Sequence, residues 1–330
     1  MRIQPVNHHT NKVNFKNIAK KGITNMAVKT PLMLEQHIHG AFGVDFNKAS
    51  STYEILFVAD KLLKLGIGSF FPTLVTDSVE NIKRQIEIIK AAAKNCPRIL
   101  GIHLEGIFIN PEKRGIHNPS HFLPLTVDNY KRVEDDFIKI VTLAPELNEG
   151  LIDYLKAKGI KVQAGHCIGS NLSNVDGVTH VFNAMAGITH RGKTTALSAL
   201  IDDRLYTEII ADGVHVNDDA LKLLFKAKPE DKIVLVSDAL PITNSDIKEA
   251  VFADSKISYD GTKATSSNGT LAGSTTMLDK IVKRLGYIGL FNPQYIKNAY
   301  TYHGLEPEGE IVWDDEWNIV KITHEGQEVL

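Results

Sequence analysis

The sequence predicts an α/β protein built as a (β/α)8 TIM-type barrel, with a small, reduced β domain formed by the two chain ends. Short apolar runs rich in Val, Ile and Phe recur along the chain, and segments with helical spacing of apolar residues lie between most of them. Parallel strands joined by crossover helices produce this alternation. Because we count eight such runs, we expect the sheet to close on itself.

The eight predicted strands are spread over most of the chain. They are PLMLEQHIH (31–39), IGSFFPTLV (67–75), RILGIHLE (98–105), IKIVTLAP (138–145), IKVQAGH (160–166), GVTHVFN (177–183), LYTEIIAD (205–212) and DKIVLVSD (231–238). Helices are expected between them, for instance at 78–95 and 217–228, with Ser78 and Asn217 as candidate N-caps. The third connection is rich in loop residues and the sixth is short. We expect the barrel to occupy residues 31–303.

The chain ends are predicted to pair as a small β layer beside the barrel. The C-terminal segment EIVWDDEWNIVKITHEG has the pattern of short strands. We assign residues 1–30 and 304–330 to this appendage.

Composition excludes several classes of function. The 330 residues carry a net charge of only -2, which gives no indication of a nucleic-acid partner. No apolar run approaches the roughly 18 residues of a membrane span, and the chain begins with polar residues. Cys96 and Cys167 are too few for a disulfide framework, which agrees with a reducing compartment. These features predict a cytoplasmic protein without a membrane partner.

Polar side chains gather where the predicted strands end, which is the functional face of such a barrel. They are His37 and His39 on the first strand, Glu105 on the third, His166 on the fifth, His180 in the sixth, Asp212 and His215 after the seventh, and Asp238 on the eighth. A single strand-end histidine or aspartate is more often an ordinary hydrogen-bonded residue, but their joint placement favours a catalytic divalent metal.

The spacing of His37 and His39 has its own physical basis, because residues i and i+2 of a strand point to the same side. Glu105 can then bind one ion or bridge two. Asp238 is suitably placed to take a proton from a water that the ion acidifies. The role of His103, two residues before Glu105, stays open.

Taken together, these residues resemble the N-acetylglucosamine-6-phosphate deacetylases of the amidohydrolase superfamily. The resemblance is carried by HIHG (37–40), GIHLEGIFINPEKRGIHNP (101–119), AGH (164–166), VTHVFNAM (178–185), HR (190–191), ADGVHV (211–216), VSDAL (236–240) and GTLAGSTTM (269–277). These blocks occur in the family's order and span about the whole predicted barrel.

The resemblance implies hydrolysis of the N-acetyl amide of N-acetylglucosamine 6-phosphate to glucosamine 6-phosphate and acetate, in amino-sugar catabolism or recycling. Glu105, His166 and His180 match the family's main metal ligands, and Asp238 matches its catalytic acid/base. The implied cofactor is a divalent cation, with zinc or iron favoured and one or two ions per subunit. His37 and His39 would hold the second ion. The resemblance further implies a homodimer. It also implies that the protein binds a small-molecule substrate, a phosphorylated N-acetylated amino sugar.

A second set of residues matches substrate contacts in the family. It comprises His117, Asn183, Ala184, Arg191, Asp212, Gly213, Val214, His215, Leu271, Ala272 and Gly273. Arg191 matches a phosphate-binding arginine, and a guanidinium group suits a phosphate monoester. In the family's dimers, part of the phosphate site can come from the neighbouring subunit.

The chain also departs from the family pattern. Gly106-Ile107 replaces the usual Gly-Pro pair, and Glu35-Gln36 stands where an aspartate usually precedes the first histidine pair. Two other functions remain as alternatives: another metal-dependent amidohydrolase, such as a cyclic amidase or a deaminase, and a non-catalytic sugar-phosphate binding protein. Arg191 argues against the first, and the presence of Asp238 and all the metal ligands argues against the second.

Overall fold

Eight parallel strands form the central sheet of the structure, a computed structural model that describes residues 27–330. They are β1 (Met33–Ile38), β2 (Ile67–Val75), β3 (Ile102–Glu105), β4 (Ile138–Leu143), β5 (Lys161–Ala164), β6 (Gly177–Val178), β7 (Tyr206–Ile209) and β8 (Ile233–Leu235). Each strand pairs in parallel with the next along the chain. The predicted α/β barrel is confirmed.

Backbone hydrogen bonds close the barrel just beyond the ends of β1 and β8. The His39 N–H donates to the carbonyl of Ala239 across 2.9 Å. The Asp238 N–H donates to the carbonyl of His37 across the same distance, 2.9 Å. Two predicted site segments therefore lie side by side at this seam.

The fully buried carboxyl group of Glu35 reinforces the seam from within the barrel. One of its oxygens accepts the N–H of His37 and the other accepts the N–H of Ser237, each at 3.0 Å. Burial raises the pKa of Glu35 to about 8. One of the residues that departs from the family pattern thus joins the first strand to the last.

Within residues 27–330, eight α-helices follow the strands. They are α1 (Thr52–Leu63), α2 (Val79–Ala93), α3 (Val127–Tyr130), α4 (Leu151–Ala157), α5 (Thr195–Ile201), α6 (Asp218–Ala227), α7 (Leu278–Tyr287) and α8 (Gln294–His303). The predicted N-caps are confirmed, because the Ser78 hydroxyl accepts the Asn81 N–H and the Asn217 side chain accepts the Ala220 N–H. The connection without a helix is the fifth. The sixth connection holds α5, so the expectation that it is short is wrong.

Six barrel strands, β1, β4, β5, β6, β7 and β8, end earlier than the sequence predicts. Beyond β5, β6 and β8 the backbone enters the left-handed region, with φ of 48° at His166, 29° at His180 and 51° at Asp238. Such angles are costly for residues other than glycine and concentrate at functional sites. Regular strand pairing therefore ends just before these three residues.

The two ends of the described chain meet in a four-stranded antiparallel sheet. Its strands, in spatial order, are Val28–Thr30, Glu310–Trp313, Ile319–His324 and Gln327–Glu328. The buried indole of Trp313 donates to the Thr30 hydroxyl at 2.9 Å. The division into a barrel at 31–303 and an appendage at 1–30 and 304–330 stays a prediction, since residues 1–26 lie outside those described.

A three-stranded antiparallel sheet between β8 and α7 was not predicted. Its strands are Glu249–Phe252, Ser255–Tyr259 and Ala264–Ser266. Smaller two-stranded pairs join Gly40–Ala41 to Val44–Asp45 and Leu125–Thr126 to Asn148–Glu149. Short 3-10 turns occupy Pro111–Lys113, Pro119–His121, Pro145–Leu147 and Glu230–Lys232. Across residues 27–330, no helix is both long and apolar enough to cross a membrane.

Candidate active site

A cavity of about 300 Å³ opens at the carboxyl ends of the barrel strands. The sequence-predicted residues that line it are His39, Glu105, His117, His166, His180, Asn183, Ala184, His215, Asp238, Leu271, Ala272 and Gly273. His37 lies fully buried beside them. The structure therefore brings most of the predicted residues to one place.

Glu105 occupies the centre of this group. Its Oε1 lies 3.1 Å from His166 Nε2 and 2.9 Å from His180 Nε2, and these two nitrogens are 3.2 Å apart. Burial disfavours the charged carboxylate, but the positive charge of His37 and hydrogen bonds from the imidazoles outweigh it and hold the pKa of Glu105 well below its usual range. The carboxylate is therefore ionised.

The second oxygen of Glu105 faces the first-strand pair. Its Oε2 lies 3.4 Å from His37 Nε2 and 3.1 Å from His39 Nε2. The same two nitrogens lie 3.4 and 3.1 Å from Asp238 Oδ1. Glu105 thus places one oxygen against each pair of histidines.

The proton positions on His166 agree with a metal ion held by Glu105, His166 and His180. Its Nδ1 lies 2.9 Å from the carbonyl oxygen of Lys113, which can only accept, so Nδ1 carries a proton. In the neutral ring, Nε2 then presents a lone pair to the Glu105 carboxylate. Two lone pairs 3.1 Å apart repel one another unless a cation or a proton lies between them. The donor set of imidazoles and carboxylate suits a divalent metal ion.

A threonine holds His117 at the edge of the cavity. The Thr76 hydroxyl lies 2.8 Å from His117 Nδ1 and accepts the Ile107 N–H at 2.9 Å. A side chain at Gly106, where φ is 116°, would bring its Cβ within 2.1 Å of the Thr76 hydroxyl. Ile107 has φ of 56°, and its N–H donates to Thr76. Proline, the usual family residue here, has no N–H and cannot adopt a positive φ, so it could not take this backbone conformation.

Asp212 fixes the orientation of His215. Its Oδ2 accepts His215 Nδ1–H at 2.8 Å and the Ser274 hydroxyl at 2.9 Å. Burial opposes charge on the ring, but the hydrogen bond with Asp212 raises the pKa of His215. Gly213 and Val214 connect the two residues and do not line the cavity.

The chain is similar in sequence and in structure to proteins of known function. No family model matches the chain. Over 282 residues the chain is 34% identical to the N-acetylglucosamine-6-phosphate deacetylase of Bos taurus, covering 78% of this chain and 68% of the relative. The chain belongs to the N-acetylglucosamine-6-phosphate deacetylase family.

Two further comparisons agree with this membership. The structure superposes on the N-acetylglucosamine-6-phosphate deacetylase of Thermotoga maritima with a TM-score of 0.85 and 26% identity, covering 94% of this chain and 91% of that one. The chain is also 30% identical over 277 residues to an N-acetylgalactosamine-6-phosphate deacetylase of Escherichia coli O157:H7, covering 77% of this chain and 71% of the relative. The family therefore includes relatives named for two epimeric sugars.

One residue matched to the deacetylase family lies apart from the others. Arg191 is exposed, and its Nε faces His190 Nε2 at 3.1 Å. It does not line the cavity. Its predicted role in phosphate binding stays a prediction.

Some residues around this deacetylase-family site were missed from the sequence. Phe252 lines the cavity, with its ring 5.2 Å from the His39 ring. His103, whose role was open, is fully buried and turned away from the cavity. Its Nδ1 bonds to the Gln36 carbonyl at 3.0 Å and its Nε2 to the Thr142 hydroxyl at 2.7 Å. Both nitrogens are occupied, so His103 supports the barrel interior beneath the site.

Proposed function

We propose that the protein removes the acetyl group from N-acetylglucosamine 6-phosphate, giving glucosamine 6-phosphate and acetate. The observation that carries this proposal is the placement of Glu105 between two histidine pairs, with Asp238 against the same centre. The 34% identity to a curated deacetylase supports the choice of substrate. The absence of any substitution at these positions argues against a silent binding protein.

The metal centre is proposed to hold zinc or iron. Glu105, His166 and His180 would bind one ion, and His37 and His39 with Glu105 would bind a second. When bound, such an ion polarises the amide carbonyl and acidifies water.

Asp238 is proposed as the group that moves protons. Burial raises the pKa of a carboxyl group, but the charge of His37 and the hydrogen bond with His39 lower the pKa of Asp238 to about 2. Ionised at neutral pH, Asp238 accepts the proton of the attacking water as its oxygen bonds to the acetyl carbon. It then gives that proton to the amide nitrogen as the C–N bond breaks, which releases the amine.

Two further histidines are proposed to orient the substrate. Burial and the neighbouring His166 hold the pKa of His117 well below its usual value, so the ring is neutral. When the Thr76 hydroxyl donates to its Nδ1, His117 Nε2 carries the proton and can donate to the acetyl oxygen. His215, held by Asp212, is proposed to contact a sugar hydroxyl.

The remaining contacts are assigned by family resemblance. Asn183, Ala184 and the loop Leu271, Ala272 and Gly273 line the cavity and would enclose the sugar. Arg191 would reach the phosphate of a substrate bound in the neighbouring subunit of a homodimer. The homodimer and the cytoplasmic location stay predictions.

Acetate release by the purified protein tests this function. We expect rapid release from N-acetylglucosamine 6-phosphate and much slower release from unphosphorylated N-acetylglucosamine. N-acetylgalactosamine 6-phosphate is a second candidate substrate, because one relative is named for it. Release from the galactosamine epimer alone would reassign the substrate, and no release from either phosphorylated sugar would contradict the proposal.

A further inference from the structure

Glu208 is a buried carboxylate that lies behind the metal centre, on β7. It is 1% exposed and does not line the cavity. Its Oε2 lies 3.1 Å from His37 Nδ1 and accepts the backbone N–H of His180 at 3.3 Å. Its Oε1 accepts the Gln36 amide at 2.6 Å. Glu208 therefore contacts one histidine from each of the two predicted ion positions.

These contacts determine the proton positions on His37. The backbone N–H and the side-chain amide can only donate, so the Glu208 carboxylate acts as an acceptor. His37 Nδ1 then carries the proton that it shares with Glu208. The charged ring carries a second proton on Nε2, whereas the form that can bind a cation is neutral and keeps its lone pair there, fully buried and without a hydrogen-bond partner of good geometry among the described residues. That lone pair faces Glu105 Oε2 and Asp238 Oδ1, each 3.4 Å away.

Gln36 in turn holds Glu208 in place. Its amide oxygen lies 3.0 Å from His303 Nε2 on α8, so His303 fixes which end of the amide points at Glu208. Gln36, one of the two residues that depart from the family pattern, thus links Glu208 to α8.

We propose that Glu208 is the positioning residue that makes the first-strand histidine pair a second ion site. It fixes the tautomer and the ring plane of His37, so that Nε2 points at Glu105 and Asp238. A carboxylate hydrogen-bonded to the far nitrogen of an imidazole ligand also makes that ligand more basic. Glu208 touches neither substrate nor ion itself.

The inference rests on the proposed metal centre, and its test counts ions without any substrate. Metal-free wild type is titrated with Mn²⁺. We expect two ions per subunit and the electron paramagnetic resonance signal of an exchange-coupled pair. Glu208→Gln should bind the first ion as wild type does and the second about 10–100-fold more weakly, the usual scale for losing such a partner, with the coupled signal lost.

Two matched variants control the titration. Thr207→Val removes a neighbouring buried hydroxyl that has no hydrogen-bond partner among the described residues, and it should keep both ions. His37→Ala should lose the second ion outright. If Glu208→Gln does not fold, Glu208→Asp is titrated with the same expectation, because its shorter side chain keeps the charge but withdraws from His37.

Three results would overturn the inference. They are a wild type that binds a single ion, a folded Glu208 variant with full affinity for the second ion, and a variant that loses both ions equally, which would indicate a purely structural role. Failure of the deacetylase assay is a separate result. It would refute the proposed function and leave the ion count unchanged.

Discussion

Replacing Thr76 with valine should damage both stability and turnover, because one buried hydroxyl serves two groups. Thr76 is 1% exposed and valine has nearly the same shape, so the change removes hydrogen bonds without opening a cavity. The Ile107 N–H, now 2.9 Å from the hydroxyl, would lose its acceptor. The bond to His117 Nδ1 at 2.8 Å would be lost as well.

The expected magnitude follows from these two contacts. A buried donor left without an acceptor costs about 1–3 kcal/mol, and an ordinary hydrogen bond contributes about 0.5–1.5 kcal/mol. Thr76→Val should therefore lower the free energy of unfolding by about 2–4 kcal/mol. Since His117 also loses the partner that sets its ring orientation, we expect kcat/KM to fall by about 10–100-fold.

Urea unfolding and steady-state kinetics measure the two effects on the same preparations. Thr76→Ser keeps the hydroxyl and should retain most of the turnover. Thr207→Val removes a buried hydroxyl that has no hydrogen-bond partner among the described residues, so it should change the free energy of unfolding and kcat/KM only slightly. A Thr76→Val protein with the stability and turnover of wild type would refute the reasoning, as would equal damage in Thr76→Ser.

Four other substitutions test three separate parts of the account. Asp238→Asn keeps the shape of the side chain and loses the proton transfer, so kcat should fall by about 10² or more with metal retained, and near-normal turnover would remove Asp238 from the mechanism. Glu105→Ala should abolish binding of both ions and His37→Ala only that of the second, as measured by metal content, and equal loss would indicate one coupled centre. Arg191→Ala should lower kcat/KM for the phosphorylated sugar by an amount equivalent to about 1.5–3 kcal/mol of transition-state stabilisation, and should change it little for the unphosphorylated sugar. Equal losses on both sugars would make Arg191 structural.

The positions of the site residues could be predicted because they follow from barrel geometry. The alternation of a strand puts His37 and His39 on one side, and the carboxyl ends of parallel strands meet at one face. The left-handed backbone at His166, His180 and Asp238 could not be predicted, since nothing in those residue types requires it.

Glu208 carried a signal that was available in the sequence. It stands within the apolar run LYTEIIA, and a carboxylate inside a buried strand needs partners. Those partners come from β1 and from the segment after β6, which are far away in the chain, so their identity required the three-dimensional structure.

The sheet that carries Phe252 was missed for a different reason. Its strands are short and only partly buried, although the Asp260-Gly261 pair is a recognised turn signal. Arg191 marks another limit of the sequence. Its predicted partner is the phosphate of the substrate, but Arg191 does not line the cavity.

The most direct test of the central claim is acetate release from N-acetylglucosamine 6-phosphate before and after removal of divalent ions. The purified protein is treated with a chelator, freed of it, assayed, and assayed again after zinc or Fe²⁺ is restored. We predict that release stops in the metal-free protein and returns with the ion, while circular dichroism shows the fold retained. Full activity in a demonstrably metal-free sample would contradict the account.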